Sequence, residues 1–201
     1  MNAFQLLKED HQKVSGIFQQ LEPTTERAEK TRTELFAKLK QELDIHAKIE
    51  ETILYPAIKQ AAETREIVLE GFEEHHVVKL LLKELESLPV DTEQWTAKLK
   101  VLQENVEHHV EEEEGEMFQK ARQVLSEDDI NRLGAEMEEM KKQLQSQTGV
   151  QEWTVERPER AESGPPNRWR GRSRAAAGAR TTAPREHAPT ALRPATTAAP
   201  P

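Results

Sequence analysis

Cysteine is absent from the 201-residue chain. Its absence excludes disulfides, thiolate zinc sites, iron–sulfur clusters and a cysteine nucleophile. A metal ion bound to this chain must therefore be held by imidazole and carboxylate groups.

Long apolar runs are also absent. No stretch approaches the roughly 20 apolar residues that a membrane-spanning helix needs, and the first ten residues already carry acidic and basic side chains. We therefore expect neither a signal peptide nor a membrane anchor, and we expect a cytoplasmic protein.

Positive charge is scarce in the first three quarters of the chain. Up to Thr148 the sequence carries 19 Lys and Arg against 32 Asp and Glu, a net charge of −13, whereas the remainder has a net charge of +4. An acidic surface repels the phosphates of nucleic acids, so we expect no nucleic-acid partner, and no membrane partner either.

Apolar residues recur at helical spacing in four segments, and the strict alternation of a β-strand persists nowhere. The sequence predicts an all-α, up-and-down four-helix bundle within residues 1–125. The second helix is expected to begin near Thr31 or a few residues earlier, and to bury Glu50, Ile53 and Ala57 near its end. The fourth helix is expected to begin after Asp91 or Thr92, a suitable N-cap.

Two further segments follow the bundle. Ser126-Glu-Asp-Asp is typical of a helix N-terminus and predicts an additional short helix over residues 126–148. From residue 149 to 201 the chain is rich in Pro, Ala, Arg and Thr without apolar periodicity. Such a segment cannot bury enough surface to offset its ordering entropy, so we expect a disordered tail. His187 lies alone in this tail and is not predicted to bind metal.

The bundle sequence contains an internal repeat of a helix pair. A shift of 64 residues relates the first and third helices, and a shift of 63 relates the second and fourth. These shifts superimpose His11 on His75, Val14 on Val78, His46 on His109, Glu50-Glu51 on Glu113-Glu114, and Leu54-Tyr55 on Met117-Phe118.

Each half of this repeat places one lone histidine and one His-x-x-x-Glu pair on its apolar stripe. The predicted metal ligands are His11, His46, Glu50, His75, His109 and Glu113. Residues four apart lie on the same helix face, so each pair directs two donor groups toward one point. A buried carboxylate without a partner is very costly, and a dication removes that cost. Six ligands in two equivalent halves favour two metal ions.

Each element of this pattern has a simpler interpretation. A lone histidine on an apolar stripe is commonly a hydrogen-bonded core residue, and the acidic run 111–114 resembles a solvated helix face. The matching register in four helices favours the metal site. Glu51 or Glu114 could replace the glutamate before it if the helix is rotated, whereas His76 and His108 lie about 100° off the stripe.

These residues resemble the hemerythrin-like (HHE cation-binding) family. The resemblance covers roughly residues 3–123 and rests on EDH at 9–11, IHAKIEETILYPAI at 45–58, EEHH at 73–76 and EHHVEEEEGEMF at 107–118. It implies two non-haem iron ions, bridged by the two glutamates and an oxo or hydroxo group and held by the same six residues. The choice of iron rests on the resemblance alone, because imidazole and carboxylate groups also bind manganese and zinc.

Two departures separate this chain from oxygen-carrying hemerythrins. Lys79 stands where those proteins have a second histidine one turn after the third-helix ligand, and Glu113 is one residue closer to its histidine. The resemblance is therefore closer to bacterial and regulatory HHE domains.

The resemblance predicts a non-haem di-iron protein that binds or senses O2, NO or peroxide, or handles iron. The alternatives are a di-iron enzyme that reduces peroxide, O2 or NO, and a metal-dependent regulatory interaction module. No further acid, base or substrate cleft is visible in the sequence, which favours binding over catalysis. The sequence does not identify a protein partner.

Overall fold

The computed structural model describes residues 1–150, and every regular element within them is helical. The helices are α1 (Ala3–Leu21), α2 (Glu29–Ile49), α3 (Tyr55–Ile58), α4 (Ala62–Glu86), α5 (Glu93–Glu112), α6 (Phe118–Val124) and α7 (Glu127–Val150). Two π-helical segments, Glu50–Leu54 and Glu113–Met117, join α2 to α3 and α5 to α6. The predicted all-α bundle is confirmed.

Four continuous helical rods form the bundle, and two of them contain a π-helical segment. α1 packs against α2, and α4 packs against α5, as the repeat of a helix pair predicts. α7 packs on the outside of the first pair, against α1 and α2. Among the described helices, none combines the length and the apolar composition needed to cross a membrane.

Local chemistry determines where several helices begin. The Asn2 side chain accepts a hydrogen bond from the Gln5 amide and forms a capping box at α1. Thr92, one of the two N-caps that the sequence offers, caps α5, and Ser126 accepts a hydrogen bond from the Asp129 amide at the start of α7.

The end of α7 falls within the region predicted as a tail. The helix continues to Val150 and so includes the first two residues of that region. The rest of the predicted tail, residues 151–201 with His187, lies outside the described residues.

The predicted buried stripe of the second helix is wrong beyond Glu50. Leu54 and Ile58 are buried, whereas Ile53 is only partly buried and Ala57 is exposed. The π-helical turn contains one additional residue, which rotates the following helix by about 100° relative to a continuous α-helix. The second π-helical segment begins at the equivalent glutamate of the other half.

Two apolar clusters fill the bundle and leave a polar layer between them. One contains the start of α1, both π-helical segments and the buried face of α7, with Phe4, Leu7, Ile49, Tyr55, Phe118, Ile130, Leu133 and Met137 among its members. The other contains the opposite ends of the four helices, with Val14, Phe18, Leu39, Leu43, Leu82, Trp95, Leu102 and Val106 among its members. The predicted ligands lie in the layer between these clusters.

Candidate metal centre

The structure brings all six predicted ligands into one layer of the bundle interior. α1, α2, α4 and α5 each contribute one histidine, and each π-helical segment begins with one glutamate. Their exposed fractions are His11 7%, His46 5%, Glu50 0%, His75 3%, His109 5% and Glu113 0%.

The four histidines point their Nε2 atoms toward one another. The His11 and His46 Nε2 atoms are 3.3 Å apart, and those of His75 and His109 are 3.2 Å apart. The rings of each pair meet nearly edge to face, at angles of 63° and 62°. The two halves of the repeat therefore present two matching pairs of ring nitrogens.

The two glutamates connect these histidine pairs. Glu50 Oε2 lies 3.1 Å from His46 Nε2 and 3.2 Å from His75 Nε2, so one oxygen contacts both halves. Glu113 Oε2 lies 3.0 Å from His11 Nε2. Each glutamate thus contacts a histidine of the opposite half, as a carboxylate shared between two ions must.

The polar atoms of this layer are suited to bind cations, because they satisfy one another's hydrogen-bonding capacity poorly. Among the described residues, no hydrogen-bond donor is paired with either oxygen of Glu50 or of Glu113, although both side chains are fully buried. Ligand atoms of these two glutamates, His46 and His109 all lie within 4.8 Å of one another. Because orphaned carboxylate oxygens are costly inside a protein, the donor set suits hard or borderline cations.

A second set of carboxylates orients three of the histidines by accepting hydrogen bonds from their Nδ1 atoms. The Nδ1 atom of His11 donates to Glu114 at 2.8 Å, that of His75 to Glu51 at 3.0 Å, and that of His109 to Glu74 at 2.7 Å. A proton held on Nδ1 leaves the Nε2 lone pair free for a metal ion.

These contacts bear on the ambiguities that the sequence left open. Glu51 and Glu114 bind Nδ1 atoms on the outer side of the histidines, while the residue before each faces the Nε2 atoms. His76 and His108 are exposed. Sequence reasoning missed Glu74 and Asp10, although their positions 64 residues apart, each just before a lone histidine, carried a signal.

His46 is the exception among the four histidines. Its Nδ1 atom is buried and has no hydrogen-bond partner within residues 1–150; Asp10 Oδ2 approaches it only to 3.8 Å. The other oxygen of Asp10 accepts a hydrogen bond from Lys141 of α7. Within the described residues, the equivalent carboxylate of the other half, Glu74, reaches its histidine directly.

Charge in the layer is distributed unevenly when no metal is bound. Burial raises the pKa of Glu113 well above its ordinary value, and the neighbouring Glu50 carboxylate adds to this. Burial alone would lower the pKa of His46, but Glu50 and Asp10 outweigh it and raise that pKa to about 9. Burial and the charge of His46 lower the pKa of His11 to about 4. The metal-free layer therefore favours a proton on His46 at neutral pH, and the surroundings of Glu113 oppose its ionisation.

Tyr55 is a further polar group beside the glutamates. Its ring stacks on His75 with centroids 5.5 Å apart, and its buried hydroxyl has no hydrogen-bond partner. A Cβ atom at Gly71 would lie 2.7 Å from this hydroxyl, so glycine at that position makes room for it. The equivalent residue of the other half, Phe118, has no hydroxyl.

A small cavity of about 20 Å³ adjoins the four imidazoles. Its remaining walls are the apolar side chains of Val14, Leu43, Ala47, Val78, Val106 and Val110. A volume of this size holds about one water-sized molecule. A wider hollow of about 210 Å³ between α1 and α5 shares His11, Val14, Val106 and Val110 with it.

Comparison with known proteins agrees with this geometry. Residues 2–121 match the family described as Hemerythrin HHE cation binding domain. The chain is also similar to the crystal structure of a hemerythrin HHE cation binding domain-containing protein from Mycobacterium kansasii. The two are 26% identical with a TM-score of 0.68, and the match covers 78% of this chain and 95% of the other.

A curated relative is a longer protein. The chain is 26% identical over 154 residues to a protein of Nostoc sp. named DNA nickase. The match covers 75% of this chain but only 42% of the relative's length.

Proposed function

We propose that this chain, which belongs to the hemerythrin HHE cation binding domain family, is a non-haem di-iron protein that binds or senses O2, NO or peroxide, or handles iron. One observation carries the proposal. Four glutamate oxygens, buried and without hydrogen bonds, lie among four histidines whose Nε2 atoms point toward one another. Cations stabilise this arrangement, and protein groups alone leave it unsatisfied.

The repeat divides the proposed ligands between two ions. His11 and His46 would hold one ion, His75 and His109 the other, and Glu50 and Glu113 would be shared, with an oxo or hydroxo bridge completing the centre. Bound iron would supply reversible ligand binding and one-electron chemistry. The protein orients the imidazoles through carboxylates on Nδ1 and excludes water with two apolar clusters.

The cavity supports a small ligand. Its volume and its valine-rich wall favour a molecule of one or two non-hydrogen atoms, such as O2, NO or peroxide, over an organic substrate. Lys79 stands where oxygen carriers have another histidine, and its ammonium group binds Glu51 at a position 43% exposed. This lysine therefore adds no ligand, and His75 and His109 with the shared glutamates would leave room for a small ligand on a bound ion.

Ligand binding can be tested on protein loaded with ferrous iron without air. Addition of O2, NO or peroxide should produce new near-ultraviolet and visible charge-transfer absorption with one of the three. Protein loaded with zinc should give no such change, because zinc has no redox chemistry. Iron-loaded protein whose spectrum responds to none of the three would contradict binding or sensing and leave iron handling.

An enzyme that reduces peroxide, O2 or NO is a second candidate, and Tyr55 favours it. The Tyr55 hydroxyl is a buried donor without a partner, placed beside the glutamates. Multiple turnovers by iron-loaded protein, lost in Tyr55→Phe with iron content unchanged, would establish an enzyme. Stoichiometric reaction without turnover would establish a binding protein.

A regulatory module is the third candidate, favoured by the contact of α7 with Asp10 beside the site. Proteolysis of α7 should then slow when metal is added. A partner protein stays unidentified.

Nucleic acid and membranes are not among the proposed partners, and a cytoplasmic location stays a prediction. The nickase activity named for the Nostoc relative belongs to a protein of which this chain spans 42%. The net charge of −13 up to Thr148 disfavours contact with DNA. Relaxation of supercoiled plasmid by the chain would contradict this part of the proposal.

A further inference from the structure

The two halves of the site differ in one charged contact that comes from outside the four-helix bundle. Lys141 of α7 donates a hydrogen bond to Asp10, and both side chains are largely buried, at 18% and 6% exposed. Asp10 immediately precedes His11 and faces His46. Its equivalent in the other half, Glu74, contacts no such lysine among the described residues; besides His109, it has the exposed His108 at 3.8 Å.

The contact with Lys141 keeps Asp10 from forming a hydrogen bond with His46. One Asp10 oxygen is taken by Lys141, and the other lies 3.8 Å from His46 Nδ1, too far for a hydrogen bond. Glu74 Oε2 lies 2.7 Å from His109 Nδ1. His46 is consequently the one histidine of the four whose Nδ1 has no hydrogen-bond acceptor.

A carboxylate on Nδ1 makes an imidazole a stronger metal ligand. It orients the ring, fixes the tautomer and increases electron density on Nε2, and loss of such a partner typically weakens metal binding 10- to 100-fold. Both histidines of the His75 and His109 pair therefore have a carboxylate on Nδ1. In the other pair only His11 has one.

We propose that Lys141 is a positioning residue that makes the two metal positions unequal, because it holds Asp10 away from His46 and so weakens the position formed by His11 and His46. The position formed by His75 and His109 binds its ion more tightly and fills first. This inference rests on the proposed two-metal site and adds to it an order of loading and a role for α7.

The test is a titration of the full chain with Co²⁺ alone, followed by visible absorption, in the wild type and in two lysine variants. Lys141→Met keeps the length of the side chain and removes its charge. Lys142→Met is the matched control, since Lys142 is exposed and bonds only to Glu138 of its own helix. The wild type should bind two Co²⁺ ions with dissociation constants that differ by about tenfold or more. Lys141→Met should bring the two constants about tenfold closer, and Lys142→Met should leave them unchanged.

A second variant, Asp10→Glu, tests the same inference in case Lys141→Met does not fold. Asp10→Glu keeps the ion pair with Lys141 and adds one methylene, which lets the carboxylate reach His46. It should also bring the two constants closer. Proton NMR of the Co²⁺ protein supplies a readout that a merely structural lysine would not move. The wild type should show one fast-exchanging Nδ1 proton among its shifted histidine resonances, and this exchange should slow in Asp10→Glu and Lys141→Met.

The outcomes separate the inference from the proposed function. Equal binding of two Co²⁺ by the wild type, or an unchanged ratio and unchanged proton exchange in folded Lys141→Met and Asp10→Glu, would overturn the inference alone. A wild-type chain that binds no Co²⁺ would overturn both.

Discussion

The α1–α2 half and the α4–α5 half of the bundle share their inner residues and differ in their outer ones. Both supply two histidines with inward Nε2 atoms and one fully buried glutamate at the start of a π-helical segment. On the outer side of these groups, Asp10 accepts a hydrogen bond from Lys141 in one half, and Glu74 accepts one from His109 in the other. The inner set is what binding two cations requires, whereas the outer set depends on what packs against each half.

Helix α7 accounts for much of the difference between the halves. It covers the first half, where Ile49 is buried in the same apolar cluster as Ile130 and Leu133 of α7. The residue of the second half equivalent to Ile49 is Glu112, which is partly exposed and lies 3.5 Å from His108. Helix α7 therefore covers the first half, and no comparable helix among the described residues covers the second.

Removal of one imidazole from each half should have the largest effect. His46→Ala combined with His109→Ala should reduce bound iron from about two ions per chain to none, because each proposed position loses half of its histidines. The measurement is metal analysis of purified protein. His76→Ala combined with His108→Ala is the matched control, since both residues are exposed, and it should keep its iron. Full retention of iron by the first variant would show that the predicted ligands are wrong.

Removal of the metal should destabilise both halves together. The proposed centre binds only the folded chain, so its loss should cost about 4 kcal/mol of unfolding free energy at metal concentrations near a thousand times Kd. For a chain of this size the melting temperature should fall by about 10 °C on chelation. The variant lacking His46 and His109 serves as the control and should show no response to the chelator. An unchanged melt of the wild type would contradict the prediction.

The uneven protonation of the halves predicts a dependence of stability on pH. The folded-state pKa values of His46, about 9, and of Glu113 lie above their ordinary values. The contribution of the His46 proton is fully present below pH about 6.5 and is lost as pH rises through about 9. The metal-free protein should therefore melt at progressively lower temperature over this interval.

Metal binding should report the His46 proton directly. A cation at His46 displaces this proton, so binding at pH 7 should release about one proton or more per chain. Calorimetry in buffers with different ionisation enthalpies measures this number. A metal-free melting temperature that rises from pH 6.5 to 9, together with no proton release, would show that the charges are assigned wrongly.

The smallest expected effect concerns the aromatic pair that follows the two glutamates. The buried Tyr55 hydroxyl has no partner, so Tyr55→Phe should stabilise the metal-free protein by about 1 kcal/mol. Phe118→Tyr introduces a hydroxyl at the equivalent position, where Phe118 stacks on Phe4 with centroids 4.6 Å apart, and should destabilise by a similar amount. Chemical denaturation measures both changes. A loss of stability in Tyr55→Phe would indicate a hydrogen bond to that hydroxyl.

The bundle and the convergence of the six proposed ligands followed from the sequence because both obey simple periodicities. Helical spacing places apolar residues on one face, and the repeat places His11 and His75 in matching register. Buried Leu54 and Ile58 were missed because a π-helical turn has no strong local sequence signal, so Ile53 and Ala57 were predicted in their place.

The outer groups could not be predicted from spacing alone. Glu74 and Glu51 bind histidines on other helices, and such contacts depend on how the helices pack. The Lys141 to Asp10 contact joins residues 131 positions apart in the sequence, and no repeat or motif relates them.

X-ray anomalous diffraction at the iron edge, from crystals of iron-loaded protein, tests the central claim most directly. The account predicts two peaks, one beside the Nε2 atoms of His11 and His46 and one beside those of His75 and His109. Glu50 and Glu113 should lie between the two peaks. A map with no anomalous peak among these six side chains, from crystals whose iron content has been measured, would contradict it.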